Sequence, residues 1–480
     1  MILIRGRDLT STQLVEIAHG AQVELCSQAR ERMDKNHGSI PRNTKILEQK
    51  HRWILGDDPH DTTNIAREFI LAHCAGVGDP LPVEVVRAAM AARCNVLAQG
   101  HSGCRSLVAQ HLIDDLNAGI HPIVPSQGSV GAAGDLAPMA HIARVVCGYD
   151  GVSHDLPRLV PQEKEALALI NGVSLSAAIA AIAVEKAWNV FEALICATAC
   201  SMEVVLAQSQ CLDERALKAR GFPETAEIGV YLRTILDGST RVHPNRQPDA
   251  FSIRSGPSVM GSCLRTLRLV NAEIHRELNG TSDNPLCFAG EWVEAGNFHG
   301  AAISTAMDHL RISLAQLGTL SERRTFRMTH GQLSENLPSF LIHGNGLNSG
   351  FMLAQYTAAA LSSEMKGLAH PASVDSIPTV QHHEDHVSMA PIAARMTLEA
   401  VDCLHNIVSI ELLLAAQGLD LRQRNDGLKH PPKIQELLNS IRLNVPVWED
   451  DTVLYPHINA LSDMIREKAF AMPNIRVFQE

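Results

Sequence analysis

Apolar positions recur with a helical period along most of this 480-residue chain, whereas strand-like alternation is scarce. The most continuous pattern covers residues 174–206, which contain neither glycine nor proline. This segment is apolar on almost every face, yet it carries Glu185, Lys186, Glu192 and Glu203. Charges that recur so often argue against a membrane-spanning helix, and the pattern therefore predicts a helix buried in a bundle.

Three further long helical patterns follow, over residues 301–328, 348–369 and 391–419. Four long helices with few strand signals predict an all-α fold organised as a long central helix bundle. We expect three segments: an N-terminal lobe over 1–165, the bundle over 166–430 and a C-terminal helical appendage over 431–480.

Shorter helical patterns fill the N-terminal lobe, over residues 8–36, 63–75, 82–100 and 106–119. The first pattern opens on the capping candidates Thr10 and Gln13. The polar, irregular stretch 37–61 predicts a loop.

A glycine-rich motif, GSVGAAGDLAPMAH, follows at residues 128–141. Glycine permits positive φ and close backbone approach, so the motif predicts a tight turn that leads into a helix N-terminus. Such an end presents free N–H groups and a positive dipole, which suit an anion. The spacing fits neither a phosphate loop nor a dinucleotide-binding fingerprint.

The amino-acid composition indicates which classes of binding partner are disfavoured. The chain holds 41 Lys and Arg against 52 Asp and Glu, a net charge of −11, which disfavours nucleic acid and anionic membranes as partners. Its 11 cysteines are odd in number and contain no C-x-x-C pair, which indicates a reducing compartment. With no evident signal peptide, we expect a cytoplasmic protein.

Polar clusters lie between the predicted helices, at 95–105, 282–285, 296–299 and 382–386. Together with neighbouring blocks they resemble the histidine and phenylalanine ammonia-lyase family. The matching blocks are LAHCAGVGDPL (71–81), GSVGAAGDLAPMA (128–140), LALINGVS (167–174), SIRSGPSVMG (252–261), SDNPL (282–286), AGNFH (295–299), LSERR (320–324), GLNSGFMLAQYTAAALSSEMK (346–366), HPASVDSIPT (370–379) and EDHVSM (384–389). The resemblance implies an all-α homotetramer whose active sites each draw on three subunits.

The family's electrophile, methylidene-imidazolone, is built from an Ala-Ser-Gly triplet within the glycine-rich motif. The corresponding triplet here is Ala132-Ala133-Gly134. Alanine has no hydroxyl to eliminate, so the resemblance leads us to expect that this group does not form and that no other cofactor takes its place.

Further departures accompany Ala133. The family's catalytic base is a tyrosine in an N-terminal loop, whose counterpart is 40–44 or 55–58, and neither alternative contains a tyrosine. Phe251 stands where the family has a second functional tyrosine, Pro248 or Gln247 stands at a usual glutamine, and His382-His383 replaces an Asn-Gln pair. This set of changes on a retained scaffold indicates natural divergence.

Several family positions are kept, and the resemblance assigns each a role. Arg254 corresponds to the carboxylate-binding arginine, a role suited to a planar guanidinium. Asn171 corresponds to the asparagine that holds substrate or prosthetic group, and Phe298 to a residue lining the pocket. His73 and Glu384 correspond to the pair that faces the substrate side chain in histidine-specific members.

Two functions are considered for the histidine-rich segment 382–386, namely metal chelation and acid–base catalysis. His382 and His386 stand four residues apart, a spacing that chelates a metal if the segment is helical. Because Glu384-Asp385-His386 also belongs to the ordinary family motif, we expect no metal here. We expect His383 to supply acid–base capacity instead, since imidazole titrates near neutrality.

The leading hypothesis is an electrophile-independent enzyme that eliminates, adds or rearranges C–N bonds of an amino acid or similar carboxylate, with a histidine-like or polar side chain favoured. Glu384, His383 and His73 would move protons, while Arg254, Asn171, Phe298, Phe251 and His382 would contact substrate. One alternative is a degenerate binding or scaffolding subunit that pairs with an active paralogue in a mixed tetramer. The other is a histidine ammonia-lyase inactivated by a Ser-to-Ala substitution.

Overall fold

A computed structural model describes residues 1–41, 45–55, 64–151, 155–344 and 347–476. Its described residues are mostly helical, which confirms the predicted all-α fold. Within this part of the chain no helix combines the length and the apolarity that are needed to cross a membrane.

In the first part of the chain, the residues that the structure describes form eight helices of moderate length. They are α1 Ser11–Ala18, α2 Ser27–Gly38, α3 Ile46–Leu55, α4 Ile65–Ala72, α5 Val83–Leu97, α6 Ser106–Ala118, α7 Leu136–Val146 and α8 Glu163–Ile170. Thr10 caps α1 as predicted: its Oγ1 accepts from the Gln13 N–H at 3.2 Å, and the Gln13 side chain accepts from the Thr10 N–H at 3.1 Å.

The later part contains the long helices. The elements are α9 Ser174–Val204, α10 Glu214–Ala219, α11 Pro223–Ile235, α12 Phe251–Arg254, α13 Gly256–Leu278, α14 Ala301–Thr329, α15 Met352–Leu368, α16 Ala390–Asp426, α17 Pro432–Arg442 and α18 Tyr455–Arg466. The four predicted long helices therefore exist as α9, α14, α15 and α16.

Short strands pair into two-stranded sheets. β1 (Ile2–Ile4) runs parallel to β2 (Val23–Leu25), with Ile2 opposite Val23. β3 (Val77–Pro80) is antiparallel to β4 (Pro125–Gln127), and β5 (Leu286–Phe288) is antiparallel to β6 (Glu291–Val293).

Two predicted elements differ from the structure, and one long helix of the structure was not predicted. The helical pattern at 8–36 is divided by β2, because Val23 and Leu25 are buried in a strand pairing rather than on a helix face. The loop predicted over 37–61 contains α3, which buries Ile46 and Leu47. Helix α13 was not predicted: it opens with Gly256-Pro257, a turn signal that the first helical turn tolerates.

The chain forms two compact units, each built from three segments. The first comprises Met1–Glu185, Val270–Asp308 and Pro371–Leu398, and the second comprises Lys186–Leu269, His309–His370 and Glu399–Glu480. The division into lobe, bundle and appendage at 165 and 430 stays a prediction.

Candidate functional site

The glycine-rich motif forms the predicted turn before a helix in the first unit. Asp135 is the N-cap residue of α7, but its buried carboxylate does not cap that helix. It accepts hydrogen bonds from the backbone N–H of Ser176 at 2.8 Å and from the Ser176 hydroxyl at 2.7 Å. Burial raises the pKa of Asp135 to about 6, and the Ser176 hydrogen bonds oppose that rise. The side chain thus joins the starts of α7 and α9.

The triplet itself is clamped by the backbone of Gly172. The Gly172 N–H donates to the Ala133 carbonyl at 3.1 Å, and the Asp135 N–H donates to the Gly172 carbonyl at 2.7 Å. Gly134 lies between these bonds at φ +84, and a Cβ there would come within 2.2 Å of the Gly172 carbonyl oxygen. Only glycine fits this contact, because it combines a positive φ with a backbone approach.

The EDHVSM block meets the same turn, and Gly300, which follows the AGNFH block, packs against EDHVSM. The Met389 N–H donates to the Val130 carbonyl at 2.9 Å, and the Ser388 hydroxyl donates to the Gly131 carbonyl at 3.1 Å. Gly300, at the end of the AGNFHG segment, lies against Ser388. Blocks that are more than 250 residues apart in sequence therefore hold one loop.

A buried charge cluster supports the clamp from the SDNPL block. Gly172 packs against the Ser282 carbonyl, which also accepts a hydrogen bond from Arg93 Nη1 at 3.0 Å. The Asp283 carboxylate is 3.0 Å from Lys164 Nζ and 3.5 Å from Arg93 Nη2. Burial lowers the pKa of Lys164, and the Asp283 charge opposes that change. Since removing one partner of such a buried set leaves an uncompensated charge, the cluster fixes the backbone of Ser282.

Ala132 and Ala133 are both half-buried within this framework. The methylidene-imidazolone group needs a side-chain hydroxyl at the central position of the triplet, and Ala133 supplies a methyl group. The residues present therefore do not fit the group that the family builds at this turn.

Asn171 precedes the clamp residue and is 3% exposed. Its side-chain oxygen is buried without a hydrogen-bond partner in the described part of the chain. A buried amide oxygen is normally satisfied, so this atom is an acceptor available to a ligand N–H or O–H beside the triplet.

His73 is half-buried at the end of α4. Its Nδ1 lies 2.7 Å from the Phe69 carbonyl, and its ring contacts the Phe69 ring at a centroid distance of 4.4 Å. A carbonyl only accepts, so Nδ1 carries the proton and Nε2 keeps a lone pair in the neutral ring. The arrangement prepares Nε2 of His73 to accept a proton.

Glu384 is half-buried and accepts a hydrogen bond from the Thr379 hydroxyl at 2.7 Å. His382 and His383 are exposed. His382 ends a 3-10 turn with φ +66, so 382–386 is not an α-helix, and the helical spacing considered for a His382–His386 chelate is not present. Among the described residues no group of three His, Cys, Asp or Glu side chains is arranged to hold a metal ion.

The structure brings together a histidine pair that the sequence analysis did not single out. His386 Nδ1 lies 3.3 Å from His299 Nε2, and the two rings stack with centroids 5.4 Å apart. Burial, and then the proximity of His386, lowers the pKa of His299. Both residues belong to blocks that carry the family resemblance, AGNFH and EDHVSM. The presence of a histidine in each block is the sequence feature that could have identified the pair. Phe298 is half-buried in the turn just before His299.

Arg254 and Phe251 belong to the second unit, where they lie on the single-turn helix α12. Both are exposed, Phe251 by 74%. The turn is anchored through the Ser252 carbonyl, which accepts from Arg324 Nη1 at 3.3 Å. Residues 42–44 and 56–63, which include most of both alternatives for the tyrosine loop, lie outside the described residues.

Comparison with known proteins gives the same family from a sequence model and from individual relatives. The sequence model of the aromatic amino acid lyase family matches residues 9–443. A histidine ammonia-lyase of Geobacillus thermodenitrificans is 41% identical over 431 residues, which span 86% of this chain and 85% of that relative.

Solved structures agree with the sequence match. The histidine ammonia-lyase from Trypanosoma cruzi has a TM-score of 0.89 at 33% identity and covers 99% of this chain and 96% of its own. The tyrosine aminomutase from Streptomyces globisporus has a TM-score of 0.87 at 29% identity. The match covers 98% of this chain and 97% of that protein.

Proposed function

Because this chain belongs to the aromatic amino acid lyase family, we propose that it is a lyase-type enzyme that works without the methylidene-imidazolone electrophile. The observation that carries the proposal is Ala133, a residue without a hydroxyl at the centre of a fully formed turn. The Gly172 clamp, the Asp135–Ser176 bonds and the Ser388 contact remain in place around it. The turn is therefore ordered by backbone and side-chain contacts although its central residue has no hydroxyl.

The proposed reaction is elimination or addition at a C–N bond beside a carboxylate, or a rearrangement of that bond. In the elimination direction a base removes a proton from carbon, the released electron pair forms the double bond, and nitrogen departs with the C–N electron pair. Addition is the reverse. Without an electrophile, the nitrogen has to be protonated or otherwise positively charged when it leaves, so proton transfer carries the catalysis.

Three groups of the first unit are suited to that proton transfer. Nε2 of His73 has a lone pair, Glu384 is oriented by Thr379, and the His299–His386 pair shares a short contact. His383, whose side chain is exposed, is also proposed to supply acid–base capacity. The lowered pKa of His299 favours its neutral, proton-accepting form.

Substrate binding is assigned to groups that recognise an amino acid. The exposed Arg254 guanidinium offers a planar fork for the carboxylate. The unpaired Asn171 oxygen offers an acceptor for an ammonium or imidazole N–H. Relatives named histidine ammonia-lyase, together with the polar groups of His73 and Glu384, favour a histidine-like or polar side chain.

Intact-mass spectrometry of the purified chain tests the electrophile directly. The proposal predicts the unmodified mass of the sequence and no near-ultraviolet prosthetic-group absorbance. A mass lower by one or more water molecules would contradict it. The Ala133→Ser variant is the companion measurement: if it gains the absorbance and releases ammonia from histidine, the chain is instead an inactivated histidine ammonia-lyase.

A thermal-shift screen of L-histidine and other amino acids tests the carboxylate site. A stabilising amino acid should lose most of its effect in Arg254→Met, since a bidentate charged contact contributes roughly 1.5–3 kcal/mol. The matched control is Arg215→Met, which removes an exposed arginine of the same unit that pairs with Asp213. Equal affinity and turnover in Arg254→Met and the unmodified chain would overturn the assignment of Arg254.

A second candidate function is a subunit that completes the site of an active paralogue in a mixed tetramer. The exposed positions of Arg254 and Phe251 favour it, because groups suited to substrate are accessible to another subunit. Co-purification with a paralogue that carries an Ala-Ser-Gly triplet would support this candidate. A homomeric assembly with its own turnover would contradict it.

A further inference from the structure

A small cavity opens in the second unit where the first turn of α11 meets α13. Its volume is about 180 Å³, and it is lined by Arg220, Phe222, Glu224, Thr225, Ser258, Gly261, Ser262 and Arg265. The two helices approach closely at Gly261, where a Cβ would come 2.7 Å from the Thr225 backbone nitrogen and hydroxyl. None of these residues belongs to the groups assigned above to the lyase reaction.

The cavity carries two cationic side chains without ion-pair partners in the described part of the chain. Arg220 Cζ lies 5.1 Å from the centroid of the Phe222 ring, a cation–π contact that positions the guanidinium beside the cavity. Arg265 forms no described ion pair. Glu224 is the acidic residue of the lining and pairs with neither arginine, so the lining keeps a net charge of about +1.

Hydrogen-bond donors complete the lining. Ser258 and Ser262 stand one turn apart on α13 and present hydroxyls on one face. Thr225 is 2% exposed, and no described residue forms a hydrogen bond with its hydroxyl. The first turn of the 13-residue α11 borders the cavity through Phe222, Glu224 and Thr225, so the positive end of this helix dipole lies beside it.

We propose that this cavity binds the phosphate group of a small phosphomonoester. One guanidinium satisfies both oxygens of a carboxylate, whereas two guanidiniums and three hydroxyls match an anion with more acceptor oxygens and a higher charge. The volume has room for several water molecules, which is enough for a phosphate group and the first atoms of its ester.

Calorimetric titration of the full chain tests the proposal with inorganic phosphate, phenyl phosphate and acetate as probes, at constant ionic strength set with sodium chloride. We expect saturable binding of one phosphate per chain, tighter binding of phenyl phosphate and no saturable binding of acetate. Arg220→Gln and Arg265→Gln should each weaken phosphate binding roughly tenfold or more. Glu224→Gln should strengthen it, because the variant removes the one repelling carboxylate.

Arg215→Gln is the control, since it removes the same charge from an exposed position outside the cavity lining. Thermal unfolding in chloride verifies that each variant is folded. The proposal is overturned if neither phosphate probe saturates, if acetate binds as tightly as phosphate, if Arg215→Gln weakens binding as much as the two cavity variants, or if Glu224→Gln weakens it.

Discussion

At residue 133 the side chain is a methyl group, and the next position of the same turn requires a glycine. Gly134 stays at φ +84 against the Gly172 carbonyl. The glycine positions at this turn were predictable, since tight turns and close approaches need glycine. That the partner would be Gly172, 38 residues further on, was not predictable from spacing.

Replacing Gly134 by alanine should destabilise the fold more than a positive φ alone explains. A left-handed alanine costs about 1–2 kcal/mol, and forcing a Cβ against the Gly172 carbonyl should add roughly 1–3 kcal/mol. Gly119→Ala is the matched control, because Gly119 has φ +73 and nothing within 4 Å of an added Cβ. Urea unfolding of the two variants measures the difference, and equal losses would contradict the clamp.

The contact between two histidines could not be predicted from their spacing in the sequence. Spacing drew attention to His382 and His383, which are exposed, whereas the contact joins His299 to His386. These two imidazoles are 87 residues apart in sequence, and only the folding of the AGNFH and EDHVSM loops brings them within 3.3 Å.

At the scale of elements, the buried Glu411 carboxylate joins residues from three long helices within the second unit. The Glu411 carboxylate on α16 accepts from Arg324 Nε and Nη2 on α14, at 2.5 and 2.8 Å. It also accepts from Ser321 of α14 at 2.5 Å and from Ser201 of α9 at 2.7 Å. Full hydrogen bonding makes this buried charge tolerable and fixes how the helices align.

Arg324→Met should therefore cost about 3–5 kcal/mol in the free energy of unfolding, because it leaves Glu411 buried and uncompensated. The neighbouring Arg323 is 51% exposed and pairs with Glu322, so Arg323→Met should cost no more than about 1 kcal/mol. Denaturant unfolding compares the two variants. A small loss in Arg324→Met would show that the bundle does not depend on this pair.

His405 makes the same helix sensitive to acid. It is 1% exposed, its Nε2 lies 3.1 Å from the Lys186 carbonyl, and burial lowers its pKa to about 4. Between pH 6.5 and 4 the unfolded chain binds a proton at this residue that the folded chain does not, so acid favours unfolding.

His405→Gln keeps a donor for the Lys186 carbonyl and removes the titration. We expect the unmodified chain to lose about 3 kcal/mol of unfolding free energy relative to this variant as the pH falls from 6.5 to 4. Urea unfolding at a series of pH values provides the measurement. Parallel pH dependences in the two proteins would contradict the prediction.

At the scale of the molecule, the predicted site residues divide between two units. His73, Asn171, Phe298 and Glu384 belong to the first, whereas Arg254 and Phe251 belong to the second. Each unit is assembled from three separated segments, so neither corresponds to a continuous stretch of sequence.

The family resemblance predicts a homotetramer, and the exposed positions of Phe251 and Arg254 are consistent with a site that a second subunit completes. Light scattering coupled to size-exclusion chromatography should give a mass of four 52.1 kDa chains. A monomer at micromolar concentration would contradict the prediction and also the three-subunit site that the resemblance implies.

The sequence by itself determined the all-α class, the long helices and the missing hydroxyl at residue 133, because helical periodicity and residue chemistry are local properties of the chain. It also indicated the family, through ordered blocks. Tertiary structure decided the strand at Val23–Leu25, the Gly172 clamp, the Asp283 charge cluster and the His299–His386 contact. Each depends on which distant segments pack together, and the free energy of that packing comes from burial across the whole core rather than from any one segment.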